Sequence, residues 1–308
     1  KLNRMMLLMT KTIVMKDNGT RSLPYDPERH ERWIRKYTTL SDMSVAKILD
    51  MSQQRDTVDA ENLIQNTIDV LLEETDVDTP HFQMEATKVF MKRMYKRISR
   101  IRSYDSEDKY GDFYGLLKKY GSLGYYHANL LDKYSKADIK AIGKMIVPER
   151  DELFTYIGIH TLEERYLAKT HDNVTFELPQ ERWLIIAMWL MQDEEPNERR
   201  LELIEESYWA LSNLHMTVAT PTLANAGKTH GQLSSCFIST ISDNLQNIYD
   251  GITDMANLSK SGGGLGTYLG KIRPRGASIK GFKGAAGGVV PFIKNINEMA
   301  VAVDQLGM

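Results

Sequence analysis

Cys236 is the single cysteine of a 308-residue chain. It stands in GQLSSCFIST, Gly231 to Thr240, behind two serines and at the head of an alternating, strand-like run. A thiol exchanges two electrons reversibly at low cost; it is also a small hydrophobe that is most often buried and inert. Both readings stand at this point. A second stretch, SGGGLGTYLGK from Ser261 to Lys271, is glycine-dense, and such turns let backbone amides approach a ligand closely. It does not fit the usual nucleotide templates. No G-x-G-x-x-G can be placed, because the third glycine position falls on Thr267 or Leu269, and Gly270-Lys271 is followed by Ile272 with Leu265 at the first glycine position of a P-loop. A third stretch, KRMYKRISRIR, carries Lys92, Arg93, Lys96, Arg97, Arg100 and Arg102 on one helix. It reads either as a solvated face or as a phosphate-facing cluster. The seven histidines are scattered, with no His-Glu-x-x-His and no cysteine pair for a metal.

These groups must be positioned by three pieces of chain. In residues 1–103, Ile13, Val14 and Met15 precede Asp17-Asn18-Gly19, and Leu23 and Tyr25 resume an extended pattern, which predicts a β-hairpin. Asp26 can cap a helix with Pro27 at its first position. TVDAENLIQNTIDVLLEE places Leu63, Ile64, Ile68, Leu71 and Leu72 on one helical face, and a further helix opens at a Thr-Pro cap, Thr79-Pro80. Residues 104–215 read as mostly helical, with Pro196 and Asn197 separating two apolar-striped helices. From residue 216 glycine becomes dense, and short β-rich runs (SCFIST, GTYLGKI) alternate with helices (NLQNIYDGITDMANLSK, VVPFIKNINEMAVAV), the pattern of an α/β layer or barrel. The expected fold is therefore α+β followed by α/β.

Composition narrows the classes. Apolar residues make up 42% and charged residues 26%, with a net charge of −2, so neither nucleic acid nor an anionic membrane is called for by charge. The longest apolar run, Trp183 to Met191, is far short of the ~20 residues of a spanning helix. With one cysteine, no internal disulfide and no recognisable signal peptide, a cytoplasmic location is expected.

Read together, the segments resemble the large (α) subunit of ribonucleotide reductase. The carriers are ATPTLANAG, GQLSSCF, Ser242-Asp243 with Asn244, SKSGGGLG, IRPRGASI and VDQLG, in that order over the last third of the chain, with Val14-Met15-Lys16-Asp17-Asn18-Gly19 and Tyr25 to Arg29 looking like the start of an ATP-cone. The resemblance implies an ATP-cone over 1–103, a helical domain over 104–215 and, over 216–308, the first part of a ten-stranded α/β barrel. It implies reduction of ribonucleotides to 2′-deoxyribonucleotides by radical chemistry. Cys236 matches the cysteine that delivers reducing equivalents at C2′, in an apolar site that keeps it protonated. Thr220 and Ser235 match residues beside the ribose and phosphate, and Gly263 and Gly264 match backbone that lets the nucleotide lie close. Asp243, Asn244 and Leu245, with Arg273 and Lys280, match a specificity site for a deoxynucleoside triphosphate or ATP at the interface of a large-subunit dimer. Lys16, Arg29, Thr57 and Lys96 are the matching positions for an ATP or dATP, with its Mg2+, in the cone.

The resemblance also implies partners. These are a small radical-generating subunit that holds the metal cofactor, and thioredoxin or glutaredoxin as reductant; no DNA or membrane contact is implied. Two departures stand out. Glu61 takes a position where many members have histidine. The radical cysteine, the disulfide partner of Cys236 and the C-terminal cysteine pair have no counterpart here, so the expectation is a split subunit whose complementary C-terminal chain carries them. A nucleotide-binding regulatory module without catalysis is the competing reading.

Overall fold

The computed structural model describes residues 12–16, 21–54, 56–260 and 263–303. The Asp17-Asn18-Gly19 turn and nearly all of VDQLG lie outside the described residues. The chain divides into two compact units. One comprises Lys1–Leu116, Ile139–Leu184 and Ser212–Leu214; the other comprises Leu117–Asp138, Ile185–Leu211 and His215–Met308.

In the first unit β1 (Ile13–Lys16) and β2 (Arg21–Pro24) form the expected antiparallel pair, with Val14 opposite Leu23. A third strand, β3 (Thr57–Asp59), pairs with β1 in parallel, giving the order β2-β1-β3. Sequence periodicity carried the following helix through these residues. Instead Asp59 is extended and its carboxylate accepts the Glu61 N–H at 2.7 Å. Helix α1 (Pro27–Tyr37) opens as expected, with Asp26 Oδ1 accepting the Arg29 N–H at 3.0 Å. Helices α2 (Asp42–Gln53), α3 (Ala60–Glu73) and the 22-residue α4 (His81–Arg102) follow. The Thr-Pro cap of α4 does not form, because the Thr79 hydroxyl donates back to the Glu74 carbonyl at 2.6 Å. Ile34, Ile48, Ile68, Leu71, Phe90, Met94 and Ile98 are fully or nearly fully buried and form the core that these helices share.

Polar groups are buried with this core. Arg102 at the end of α4 donates from one nitrogen to both oxygens of Glu181, at 2.7 and 2.9 Å. The carboxylate of Asp151 accepts from the hydroxyls of Tyr95 and, at 2.5 Å, Tyr110, and from Gln180 Nε2 at 2.7 Å. Short helices α5 (Phe113–Ser122), α6 (Asn129–Asp132) and α7 (Lys136–Gly143) lead to α8 (Tyr156–Arg165). From Trp183 onward helix α9 (Pro179–Leu190) is apolar around its whole circumference, and Leu184 to Met188 are accordingly sealed from solvent.

The second unit includes α10 (Glu198–Ser212) and α11 (Thr220–Asn225), then an α/β segment. There β4 (Cys236–Thr240) and β5 (Gly264–Tyr268) pair in parallel, joined by α12 (Leu245–Lys260), and α13 (Val290–Ala302) follows. Ile241, Ile248, Met255 and Ile272 form its buried cluster, flanked by Leu265, Phe292 and Ile296. The turn after α11 depends on Gly227, whose φ of +75° and whose approach to Ile185, 2.5 Å from an added Cβ, exclude a side chain.

Burial pushes the Asp151 carboxyl up from 3.8 to about 6, against the pull of its three hydrogen-bond donors. A raised carboxylate favours the folded state while it is protonated, so this contribution is full below pH 3.8 and is lost as pH rises through about 6. The wild-type chain should therefore lose up to about 3 kcal/mol relative to Asp151→Asn between those limits. Urea midpoints at several pH values check this; parallel curves for the two proteins would refute it.

Candidate functional site

The parallel register sets Cys236 opposite Gly264 and Ile238 opposite Gly266. Alternation along the strands gives the sheet two unlike faces. Phe237, Ser239, Leu265 and Thr267 lie on the face toward α12, where the Thr267 hydroxyl meets Met255 Sδ at 2.9 Å. Cys236, Ile238, Gly264, Gly266 and Tyr268 lie on the other face, where Ile238 is 90% exposed. The thiol thus borders a floor of bare backbone.

Local contacts fix this geometry. The Gly264 N–H donates to the Ser235 carbonyl at 2.7 Å and the Gly263 N–H to the Leu258 carbonyl at 3.0 Å. Ser235 Oγ donates to Cys236 Sγ at 3.5 Å. A Cβ on Gly263 would fall 2.6 Å from the Phe237 ring, and one on Gly264 would fall 3.1 Å from the Ser235 carbonyl oxygen. At Gly266 the nearest atom would be 3.8 Å away. Ser235, Cys236, Gly263 and Gly264 are therefore brought together as expected. The apolar pocket expected around the thiol is not present among the described residues, and Cys236 is exposed. The buried-hydrophobe reading of this cysteine fails for the same reason.

Thr220 opens α11 as an exposed residue. Its neighbours hold the approach to Cys236: the Thr222 hydroxyl donates to the Leu233 carbonyl at 3.1 Å and the Asn225 amide to the Gln232 carbonyl at 3.0 Å. Sequence reading missed Thr222, Asn225 and Gly266. The last had a signal, since Gly264 and Gly266 recur at the period of one strand face.

A second cluster gathers at the start of α12. Arg273 Nε donates to Asp243 Oδ2 at 2.7 Å and Arg273 Nη1 to the Ser278 carbonyl at 3.1 Å. The backbone N–H of Arg273, then its guanidinium, hold the Asp243 carboxyl below its ordinary value. Asn244 caps the helix by accepting the Asn247 N–H at 2.9 Å, and Leu245 beside it is 67% exposed. Lys280, exposed at φ +50°, shares with Gly281 the two-residue turn closed by Ile279 and Phe282. An anion at this helix N-terminus would meet the positive end of the helix dipole and an arginine already oriented by its carboxylate.

The N-terminal candidates separate. Arg29 and Lys96 line one cavity of about 190 Å³ together with Tyr25, His30 and Trp33. Thr57 sits exposed on β3 and is not part of that lining, and Lys16 is placed by its backbone at the end of β1. Glu61 lines a different, larger cavity. His30 is buried, and burial lowers it to about 4. Its Nδ1 is 2.8 Å from the Tyr25 hydroxyl, while Nε2 has no partner among the described residues. Tyr25, His30 and Trp33 were not singled out as site residues; their spacing at the start of α1 was the available signal.

A helical protein that runs into a parallel α/β unit, with a thiol on the face its helices leave uncovered, is the class defined by this geometry. Two domain patterns agree with it: the ribonucleotide reductase all-alpha domain matches residues 152–231, and the ribonucleotide reductase barrel domain matches residues 234–308. The alpha subunit of ribonucleoside-diphosphate reductase from Helicobacter pylori is 38% identical over 299 residues, 96% of this chain and 36% of that protein. The alpha subunit from Treponema pallidum is 43% identical over 196 residues, 64% of this chain and 23% of that protein. The large subunit from Monkeypox virus is 30% identical over 230 residues, 74% of this chain and 28% of that protein. The chain belongs to the ribonucleotide reductase large-subunit family, and spans 36% of the length of the Helicobacter relative. No helix among the described residues is long and apolar enough to cross a membrane.

The two glycine environments predict opposite outcomes. Gly263→Ala should destabilise the second unit by about 1–3 kcal/mol, because a Cβ there falls 2.6 Å from the Phe237 ring and 3.1 Å from the Leu258 carbonyl oxygen, so ring and backbone must both shift. Gly266→Ala should leave stability within about 0.5 kcal/mol. Thermal melts of the two variants check this; equal losses would refute it.

Proposed function

We propose that the chain is the N-terminal portion of the catalytic subunit of a ribonucleoside-diphosphate reductase. Residues 1–103 act as an ATP-cone, 104–215 as a helical domain and 216–308 as the start of a ten-stranded barrel. The observation that carries this is the thiol of Cys236 beside the bare backbone of Gly264 and Gly266. A ribose can lie flat against such a floor with its 2′ carbon at the thiol, and the Ser235 and Thr220 hydroxyls can hydrogen-bond its oxygens without crowding.

In the proposed reaction Cys236 acts with a second thiol supplied by the rest of the catalytic subunit, on the same or another polypeptide. The two thiols give two electrons and two protons. The C2′–O bond breaks, the hydroxyl leaves as water, hydrogen takes its place at C2′, and a disulfide forms. A radical-generating subunit starts the sequence, and thioredoxin or glutaredoxin reduces the disulfide in a reducing cytoplasm. Asp243, Asn244, Leu245, Arg273 and Lys280 receive a deoxynucleoside triphosphate at a subunit dimer interface. Arg29 and Lys96, with Lys16 and Thr57, receive ATP or dATP with Mg2+.

In a complete catalytic subunit containing these residues, Cys236→Ser should reduce CDP turnover by at least about a thousandfold, since serine cannot donate the electrons. Binding of dTTP and dATP should be unchanged. Turnover that survives the substitution would leave the regulatory-module reading in its place. Loss of nucleotide binding would remove the assignment of two separate functions to these residues.

A further inference from the structure

The basic helix serves more than one purpose. Along α4, Lys92 lies over the Tyr37 ring at 3.9 Å, Lys96 lines the small cavity, and Arg102 is bound to Glu181. Arg93, Arg97 and Arg100, at spacings of four and three, fall on another face and line a separate cavity of about 560 Å³. That volume is within the range of small-molecule sites. Helix α8 and the segment around Lys169 to Thr175 close its other side, all within the first unit.

The charges in this cavity are unevenly paired. Arg97 is bound to Glu163, which is 14% exposed. Glu164 is 3.6 Å from His160 Nδ1, and its carbonyl accepts from Lys169 Nζ at 2.8 Å. Arg93 differs. Its guanidinium donates to the neutral Gln65 Oε1 at 2.7 Å and stacks over the Phe90 ring at 4.9 Å. No carboxylate lies within ion-pairing distance of it among the described residues; Glu61, across the same cavity, acts on it only at longer range. Burial pulls its pKa below the ordinary arginine value, the mark of a guanidinium short of both water and a counter-ion. Arg100 and Lys169 contribute further cations to the same space, and Asp59 a further carboxylate.

We infer that this cavity is a second anion site, taking the di- or triphosphate group of a ligand between Arg93, Arg100 and Lys169. It is distinct from the cavity of Arg29 and Lys96. A planar guanidinium with only a neutral partner has donors free to grip phosphate oxygens in pairs. The His160 ring, whose side chain is 41% exposed, borders the site and gives an attached base a surface to stack on.

The test uses the full chain carrying Arg29→Ala and Lys96→Ala, which silences the smaller cavity, and Arg273→Ala, which silences the cluster at the start of α12, and titrates it with tripolyphosphate and with ATP by calorimetry. Binding of one tripolyphosphate per chain is expected, weakened at least about tenfold by Arg93→Gln and severalfold by Lys169→Gln. Should Arg93→Gln fail to fold, Lys169→Gln and Arg100→Gln decide the matter. ATP binding tighter than tripolyphosphate identifies a nucleotide as the occupant, and equal affinities identify a free polyphosphate. Absence of millimolar binding in this triple variant overturns the proposal, as does binding that none of the Arg93, Arg100 and Lys169 substitutions alters.

Discussion

Arg102 and Glu181 meet where neither can reach water, and the first unit is organised around satisfying them. The pair is 5% and 0% exposed. A charge removed from water at this depth is tolerable only if every remaining hydrogen-bonding position is filled. Glu181 accepts the Leu178 N–H at 2.8 Å in addition to the arginine, and Arg102 gives its second nitrogen to the Tyr110 carbonyl at 3.1 Å. Tyr110 in turn joins Asp151, and Asp151 joins Tyr95 and Gln180. The end of α4, the loop at Tyr110 and the first turn of α9 are thereby held by one polar network inside an apolar core. Such a network specifies a single arrangement, since a shift of any member strands a buried charge.

The same constraint explains how α4 can carry so many cations. A helix with several buried faces has little solvent to offer them, so each must find a local partner. Tyr37, Glu163, Gln65 and Glu181 are those partners, drawn from different elements. Neither reading of the charge run as a whole describes the result. Among these, Lys92 and Arg93 meet neutral partners while Arg97 and Arg102 meet carboxylates, and the inequality becomes visible once the neighbours are in place.

What was legible in the sequence follows from how local each feature is. The hairpin strands, the Asp26 cap and the helices from Leu245 and Val290 depend on neighbouring residues and were read correctly. Strand β3 was not, because its three residues hold a single apolar side chain, Val58, too short a run to show alternation, and its partner β1 is more than forty residues away. The Thr79 cap failed because a nearby carbonyl competed for the same hydroxyl. At the candidate site, Cys236, Ser235, Gly263 and Gly264 were legible as a motif. Their division between two faces was not, because it depends on the parallel register between strands separated by α12.

That register has a consequence for the chemistry. Helices α12 and α13 pack on the face holding Phe237 and Leu265, so the thiol necessarily lies on the opposite face. A one-residue slip would turn Cys236 into the cluster beneath and bring Phe237 out. The contact of Gly263 with Phe237 opposes that slip, because the ring occupies the space that only a glycine leaves open. Gly263 thus acts on the thiol through packing, by locking the strand that presents it, whereas Gly264 and Gly266 act by leaving space beside it. One run of glycines therefore serves two separate physical ends, which explains why it matches none of the phosphate-binding templates it superficially suggests.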